Sequence, residues 1–253
     1  MTDRGGALIT GAGRRIGRAL ALRSARLGYS VAVHYRESEA EARSVLAEIE
    51  ADGGRAAVLA ADLAESAETA GRLIAAASAA VGPLTLLVSN ASLFEDDRLE
   101  SMTPASWAAH MDANLRAPVF LAQAFAAQAA EGGLIVNLLD QRVWRPTPEF
   151  FSYAVSKAAL WQATRVMAQA LAPKIRVNGI GPGPTLASIH QSAEAFAEEA
   201  RGAPLQRRAT PEEVADALAF LIDAPSVTGQ MIAVDAGQHL AWRAATPEPG
   251  PKR

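Results

Sequence analysis

The chain has 253 residues, half of them hydrophobic and a fifth charged, which is the composition of an ordinary globular domain. A formal net charge of −3 and the lack of a basic run give no sign of a nucleic-acid or membrane-surface partner. The absence of cysteine excludes disulfides, thiolate catalysis and cysteine metal ligands. Four scattered histidines without ligand spacing indicate that there is no metal site: His34, His110, His190 and His239.

The length fits a single hydrophobic core. We therefore expect one domain over residues 1–242 and a loose C-terminal tail over 243–253, which is rich in proline. The N-terminal segment lacks the apolar centre of a signal peptide, and no apolar run reaches the ~18 residues of a membrane span. The cytoplasm is the expected location.

Short apolar runs alternate with longer helical patterns along the chain. The predicted strands cover 6–10, 30–35, 55–63, 83–91, 132–140, 174–183 and 229–237. The predicted helices cover 15–28, 38–51, 66–81, 104–112, 114–130, 151–172, a flap at 186–200, and 210–223. Because the strands are continuously apolar, they indicate a parallel sheet buried on both faces, in a doubly wound α/β fold with flanking helices.

The segment TGAGRRIG (10–17) joins the first strand to the first helix. Its glycines, Gly11, Gly13 and Gly17, allow a tight turn and close approach to a pyrophosphate, which the amides of the helix N-terminus would bind. Arg15 and Ile16 belong to the same loop. This strand–turn–helix context predicts a dinucleotide site, which a glycine-rich turn alone would not.

The end of the second strand indicates which dinucleotide is bound. NAD sites place an acidic residue there, whereas this strand ends in His34, Tyr35 and Arg36. Together with Arg15, His34 and Arg36 favour a 2′-phosphate and hence NADPH, although Glu37 follows directly. Asp62 and Leu63 form the exit of the third predicted strand and are further candidates for cofactor contact. Asp62 either accepts a hydrogen bond from adenine or caps the next helix.

Tyr153 and Lys157 stand four residues apart on one predicted helix face. An ammonium group close to a phenol favours the phenolate and lowers the tyrosine pKa, which suits acid–base work. The pair also fits a half-buried tyrosine beside a solvated lysine. Its place after the fifth strand, at the expected cofactor crevice, favours the catalytic interpretation.

The combination of TGAGRRIG, NAS (90–92), Asn114, YAVSK and GIGPGPT (179–185) resembles the short-chain dehydrogenase/reductase family, nearly to Gly237. The resemblance implies a single-domain Rossmann fold with a seven-stranded parallel sheet. It implies that Tyr153 is the general acid in reduction and that Lys157 holds the nicotinamide ribose. It assigns a proton-relay water to Asn114 at a helix kink. It also implies further cofactor contacts from Asn90, Ala91, Ser92, Pro182 and Gly183.

Most of that family has a serine thirteen residues before the tyrosine, where this chain has Asp140. Three interpretations compete: the site is inactive, Asp140 points into solvent, or the substrate requires a carboxyl group. The third fits best, because the pteridine reductases and the related dihydromonapterin reductases share this departure. A carboxyl whose pKa is raised by burial can pass a proton to a ring nitrogen, directly or through water.

Other residues also resemble the pteridine reductase branch. Phe94 lies where that branch has a phenylalanine that stacks on pterin, although a packed loop residue is the alternative. Ser92 and Gly183 are assigned to substrate as well, with Asp140 and Tyr153. The loop 93–99 carries three acids that are interpreted as a solvated rim. Trp144 and Trp161 are expected in packing or at an interface.

The favoured function is therefore NADPH-dependent reduction of a pterin-type, dihydropteridine- or dihydrofolate-like substrate. One alternative is a reductase of a ketone or a 3-oxoacyl thioester, which Asp140 disfavours because a carboxylate repels a carbonyl oxygen. Another is an NADPH-binding sensor without turnover, which the intact Tyr–Lys pair disfavours. The resemblance further implies a homodimer or homotetramer that uses helix 151–172 and the final strand.

Overall fold

A computed structural model of the chain describes residues 3–129, 131–187 and 192–241. The seven strands are β1 Gly6–Ile9, β2 Ser30–Tyr35, β3 Ala56–Ala60, β4 Leu84–Ser89, β5 Gly133–Leu138, β6 Ile175–Pro182 and β7 Met231–Val234. The helices are α1 Arg15–Arg26, α2 Glu39–Ala51, α3 Ala67–Val81, α4 Pro104–Met111, α5 Ala117–Gln128, α6 Phe151–Leu171, α7 Ala193–Gly202 and α8 Pro211–Ile222. The predicted tail over 243–253 lies outside the described residues.

All strand pairs are parallel, in the order β3-β2-β1-β4-β5-β6-β7. The predicted seven-stranded, doubly wound Rossmann fold is therefore confirmed. The chain reverses its direction across the sheet between β1 and β4. A crevice opens beyond the carboxyl ends of the strands at such a switch point.

Hydrophobic cores on both faces of the sheet explain why its strands are continuously apolar. Neighbouring residues Leu8 and Ile9 are both fully buried, one in each core. The Ile9 side packs against α1 and α8 through residues such as Leu20 and Leu218. The Leu8 side packs against α3 and α5, with Phe125 as its largest fully buried side chain.

Helix boundaries follow local chemistry in some places and tertiary contacts in others. The predicted start of α8 is confirmed, because Thr210 and Glu213 form a reciprocal capping box ahead of Pro211. The predicted break near residue 113 is instead a π-helical turn, Asp112–Arg116, that joins α4 to α5. The predicted flap at 186–200 is shifted: α7 begins after Ser192, whose hydroxyl accepts from the Ala195 amide, and residues 188–191 are not described.

Candidate active site

A cleft of about 840 Å³ lies at the carboxyl ends of the strands. It brings together most of the predicted site residues: Gly11, Arg15, Ile16, Gly17, His34, Tyr35, Arg36, Asp62, Leu63, Asn90, Ala91, Ser92, Phe94, Asp140, Tyr153, Pro182 and Gly183. Three predicted residues lie behind its wall: Gly13, Asn114 and Lys157. Segments spread over the whole chain thus contribute to one cleft, while the predicted roles of these residues stay predictions.

The glycine-rich loop is packed as tightly as its sequence predicts. Gly11 has a positive φ of 61°, and a Cβ on Gly17 would overlap the carbonyl oxygen of Gly11. The Asn90 amide donates to the carbonyl oxygens of Thr10 and Gly11, at 2.8 and 3.1 Å. Gly13 faces the Ala42 amide of α2 instead of the cleft. No acidic residue stands in the first turn of α1, which leaves its positive end open to an anion.

His34 lines the cleft but cannot provide the positive charge predicted for it. Its Nδ1 accepts from the Gly11 amide at 3.1 Å, and its Nε2 lies 3.1 Å from the Ala61 carbonyl oxygen. Burial lowers the pKa of His34 to about 4, so the ring is neutral near pH 7. The structure thus corrects its role: His34 supports the backbone of two loops.

Arginines remain at this end of the cleft. Arg36 pairs with the exposed Glu37 at 3.1 Å, an exposed ion pair that contributes little free energy and can be exchanged. Arg14, which precedes Arg15 in the glycine-rich segment, also lines the cleft. Arg15 extends toward the segment before α7 and donates to the carbonyl oxygens of Leu186 and Ala187, each at 2.9 Å.

Asp62 lies on the cleft wall and also accepts from the Ala64 amide at 2.9 Å. That contact is a local turn cap, which was one of the two interpretations of this residue. The second carboxylate oxygen has no part in the cap. An adenine contact therefore remains a prediction.

Asp140 and Tyr153 meet directly at the centre of the cleft. The Tyr153 hydroxyl donates to Asp140 Oδ2 at 2.8 Å, without a bridging group. Asp140 lies just beyond β5, whereas Tyr153 lies in the first turn of α6 and is only 6% exposed. The carboxylate therefore does not point into solvent, which was one of the three interpretations of Asp140.

The pKa of Tyr153 is raised well above its ordinary value, first by burial and then by the negative charge of Asp140. The cation that opposes this rise is Arg142. The prediction that Lys157 lowers the Tyr153 pKa is therefore not what this structure shows. The phenol therefore stays protonated at neutral pH and holds a proton that a reduction can use, although it is a weaker acid than a phenol whose pKa lies near neutrality.

Lys157 is almost fully buried behind Tyr153. Its ammonium group donates to the Leu138 carbonyl oxygen at 2.7 Å and lies 5.7 Å from the centroid of the Tyr153 ring. Burial lowers the pKa of Lys157 to about 8, against the opposing effect of Asp140. The lysine is thus anchored to the last residue of β5, behind the ring of Tyr153.

Asn114 is fully buried in the π-helical turn, where the sequence resemblance placed a kink. Its Oδ1 accepts from the Leu93 amide and the Ser92 hydroxyl, and its Nδ2 donates to the Leu93 carbonyl oxygen and to Ser156 Oγ. The side chain therefore ties the end of β4 to α6. Its predicted link to a relay water stays a prediction.

Phe94 takes part in an aromatic cluster with Phe150 and Tyr153. Its ring stacks on Phe150, with centroids 4.2 Å apart and planes at 15°, and contacts the Tyr153 ring edge at 4.7 Å. One face of Phe94 is thus covered by the protein. A flat ligand stacked on Phe94 would have to use the opposite face.

The acidic loop 93–99 is not simply a solvated rim. Asp97 is buried, accepts from the Ser152 amide at 2.9 Å and from the Ser106 hydroxyl at 2.6 Å, and caps the start of α6. Burial raises the pKa of Asp97, but the hydrogen bonds from Ser106 and Ser152 outweigh this effect and hold it below the ordinary value. Asp96 is exposed, as predicted.

The two tryptophans lie outside the cleft. Trp144 is 45% exposed and contacts the His239 ring edge at 5.0 Å, while Trp161 packs on a small hydrophobic cluster. Neither residue lines the cavity, and only Trp161 is packed as one of the two predicted roles requires, while an interface role for Trp144 stays a prediction.

Several cavity residues were missed from the sequence: Arg14, Ser38, Gln141, Arg142, Glu149, Phe150, Thr185, Leu186, Phe196, Glu199 and Gln238. For Arg142 and Phe150, the sequence contains only a partial indication that they belong to the site. Arg142 comes two residues after the unusual Asp140, and Phe150 precedes the helix that carries Tyr153. Neither position belongs to a recognised motif.

Within the described residues, no grouping of histidine and acidic side chains could hold a metal ion. None of the helices in the described ranges combines the length and apolar character that a bilayer crossing requires.

Comparison with known proteins agrees with this geometry. The family model described as enoyl-(acyl carrier protein) reductase matches residues 11–239. The chain is 33% identical to a 3-oxoacyl-[acyl-carrier-protein] reductase of Synechocystis, covering 91% of this chain and 95% of the relative. It is 34% identical to an uncharacterised oxidoreductase of Methylorubrum extorquens, covering 91% and 96%.

Among solved structures, the crystal structure of FolM alternative dihydrofolate reductase 1 from Brucella canis, complexed with NADP, is similar at a TM-score of 0.93. The two chains are 43% identical, and the match covers 98% of each. The matching family model, the identity to curated relatives over nearly the full length, and the Asp140–Tyr153–Lys157 site at the sheet crevice lead to one conclusion. The chain belongs to the short-chain dehydrogenase/reductase family.

Proposed function

We propose that the protein is an NADPH-dependent reductase of a pterin-type substrate. The observation that carries the proposal is the direct hydrogen bond from Tyr153 to Asp140, a carboxylate where a hydroxyl would suit a carbonyl substrate. A C=N bond in a flat heteroaromatic ring needs a proton at nitrogen as carbon is reduced. The similarity to a structure described as a dihydrofolate reductase with NADP supports the same choice.

The residues present fit NADPH. Gly11 and Gly17 leave room that a Cβ would fill, and α1 directs its N-terminus at the cleft. Arg14 and Arg36 line the cleft and would hold a 2′-phosphate, and no buried carboxylate ends β2. When bound, NADPH supplies a hydride.

The protein's own residues handle the proton. Tyr153 is protonated at neutral pH, and its hydroxyl hydrogen is directed at Asp140. When the Tyr153 proton passes to the substrate nitrogen, directly or by way of Asp140, the phenolate that is left takes up a proton from solvent, so the pair delivers one proton per turnover. Lys157 fixes the path from behind through Leu138, and Asn114 holds the neighbouring end of β4 against α6.

Substrate positioning falls to Phe94 and the cleft around it. Phe94 lines the cleft beside Tyr153, and a flat ring that stacks on Phe94 would use the face opposite Phe150. Ser92 and Gly183 line the same part of the cavity. A ring held there with its edge toward the Asp140–Tyr153 pair would have the orientation that proton transfer needs.

A reductase of a 3-oxoacyl thioester is the second candidate, because relatives at 33% identity carry that activity in their names. The two candidates differ at Asp140, since an ionised carboxylate beside the tyrosine repels the developing negative charge on a carbonyl oxygen.

The test is a steady-state assay of NADPH oxidation with 7,8-dihydrobiopterin, dihydrofolate and an acetoacetyl thioester. We expect turnover with at least one dihydropterin compound and little with the thioester. The Asp140→Ser variant should lose about 100-fold or more in pterin turnover, the range typical of general acid–base groups, while NADPH affinity is kept. Turnover of the thioester alone would reject the proposal, and tight NADPH binding without any turnover would favour a sensor.

A further inference from the structure

Arg142 lines the cleft and belongs to the turn that follows β5. Asp140 caps this short 3₁₀ turn, Gln141–Val143, by accepting from the Arg142 amide at 2.8 Å. The Arg142 side chain folds back over the same carboxylate, with Nη1 3.6 Å from Asp140 Oδ2. Both side chains are largely buried, at 18% and 16% exposure. A fixed guanidinium therefore stands next to the proton path.

Two aromatic rings hold this guanidinium in place. The Arg142 Cζ atom lies 5.6 Å from the Phe94 centroid and 5.4 Å from the Phe150 centroid. Contacts of this kind are attractive, more so where water is excluded. They orient a planar group that carries five N–H donors in fixed directions.

The cluster is maintained against backbone strain. Phe150 has a φ of 54°, in the left-handed region that bulky residues rarely adopt, and it directly precedes α6. This conformation brings its ring onto Phe94. Strain of this kind persists where surrounding structure fixes it, and such places are concentrated at functional sites.

The polar groups of the turn are not all satisfied. Arg142 Nε and Gln141 Oε1 are buried and have no hydrogen-bond partner among the described residues. Both side chains line the cleft. Buried groups without partners are rare in folded proteins, and each one calls for an explanation, such as a bound water or a role in the site.

We propose that Arg142 recognises the substrate, by donating hydrogen bonds to an acceptor on the edge of its flat ring. The proposal rests on the proposed pterin reductase function and adds a specificity-determining residue to it. Arg142 and Asp140 present a donor beside an acceptor, which is complementary to a ring edge with an oxo oxygen or bare nitrogen next to an N–H group. The stacking face of Phe94 positions that edge.

This arrangement explains how the site could prefer a pterin over a simple ketone. A ketone offers one acceptor and no adjacent donor, so it leaves either the guanidinium or the carboxylate without a partner. Sites built to hydrogen-bond a substrate discriminate strongly against analogues that leave buried polar groups unpaired.

The test compares Arg142→Met and Arg142→Lys with the parent enzyme on 7,8-dihydrobiopterin. Arg142→Met should raise KM about 10- to 100-fold, the cost expected for losing a charged hydrogen bond, with a smaller effect on kcat. Arg142→Lys should recover only part of the loss, because an ammonium group lacks the planar donor fork. In an Arg142→Ala variant, added ethylguanidinium should lower KM again.

Arg165→Met is the matched control, since Arg165 also lies over an aromatic ring, 6.0 Å from the Trp161 centroid, but outside the cleft. It should keep the parent KM. NADPH affinity from nucleotide fluorescence and the melting temperature are recorded for every variant. Parallel losses in these two quantities for Arg142→Met would indicate a structural role and overturn the proposal.

The outcome also separates this proposal from the function it rests on. If the parent reduces dihydrobiopterin and Arg142→Met keeps its KM, the recognition role is wrong and the pterin function stands. If the parent reduces no pterin at all, the function itself fails, and the role of Arg142 fails with it.

Discussion

Two side chains close to the cleft show how burial changes the chemistry of a residue. Burial lowers the pKa of His34 to about 4 and that of Lys157 to about 8, since a charged form loses its hydration inside the protein. The effect on function differs. His34 becomes a neutral backbone clamp, whereas Lys157 keeps a titratable amine near the Tyr153–Asp140 pair.

The neutral His34 ring predicts acid sensitivity. Its folded pKa lies below the ordinary value of 6.5, so its contribution to stability is complete above pH 6.5 and is lost as pH falls toward 4. From this residue alone, the free energy of unfolding should drop by about 2 kcal/mol between pH 7 and pH 5. Urea unfolding at both pH values measures the drop.

The matched variant is His34→Gln, whose amide can accept from Gly11 and donate to Ala61 but does not titrate. It should remove most of that pH dependence, whatever its stability at pH 7. Equal pH dependence in the two proteins would mean that His34 is not the group responsible.

At the scale of elements, the helix that carries Tyr153 depends on a residue in another loop. Asp97 accepts from the Ser152 amide with its side chain and from the Phe151 amide with its carbonyl oxygen. Its second carboxylate oxygen binds Ser106 in α4. The acidic loop thus joins α4 to α6 and sets where the first turn of α6 begins.

Replacing Asp97 by alanine should therefore affect stability and catalysis together. We expect a loss of about 1–2 kcal/mol in the free energy of unfolding, the usual cost of a lost helix cap. The value of kcat should fall as well, because Tyr153 lies in the uncapped turn. Asp96→Ala removes a neighbouring exposed charge and serves as the control, with both quantities expected near those of the parent.

The packing of the glycine-rich loop against α1 leads to a second prediction at this scale. Gly17→Ala would place a methyl group against the Gly11 carbonyl oxygen and the Asn90 amide, so NADPH affinity should be lost and the melting temperature should fall. Gly71→Ala, in open space on α3, should instead stabilise the protein by about 0.5–1 kcal/mol. Normal NADPH affinity in Gly17→Ala would show that the loop tolerates a side chain.

For the molecule as a whole, the sequence predicted what depends on local pattern. The strands and their parallel pairing follow from apolar runs separated by helices, and the α8 capping box follows from residues close together in the chain. The cavity residues near the glycine-rich loop and the Tyr153–Lys157 spacing could also be read from the sequence. Each of these features is written within a short stretch of chain.

Features that depend on tertiary contacts could not be predicted from the sequence. The acids of loop 93–99 look alike in the sequence, and only packing against α6 buries Asp97. From the sequence, His34 looks like a residue that could bind phosphate. Only the folded structure shows that both of its ring nitrogens are taken by backbone groups. The positive φ of Phe150 and the fold-back of Arg142 have no local signal, because both arise from the aromatic cluster itself.

The strand order has a consequence for how the protein acquires activity. The glycine loop belongs to the half of the sheet formed by β1 to β3, whereas Asp140 and Tyr153 belong to the half formed by β4 to β7. Neither half alone contains both the glycine-rich loop and the Asp140–Tyr153 pair. A chain truncated after α3 would therefore keep the glycine-rich loop but lack the residues that transfer the proton. Bound nucleotide should accordingly stabilise both halves of the sheet together, as one cooperative unit. During refolding, nucleotide affinity should return only when the two halves have packed against each other.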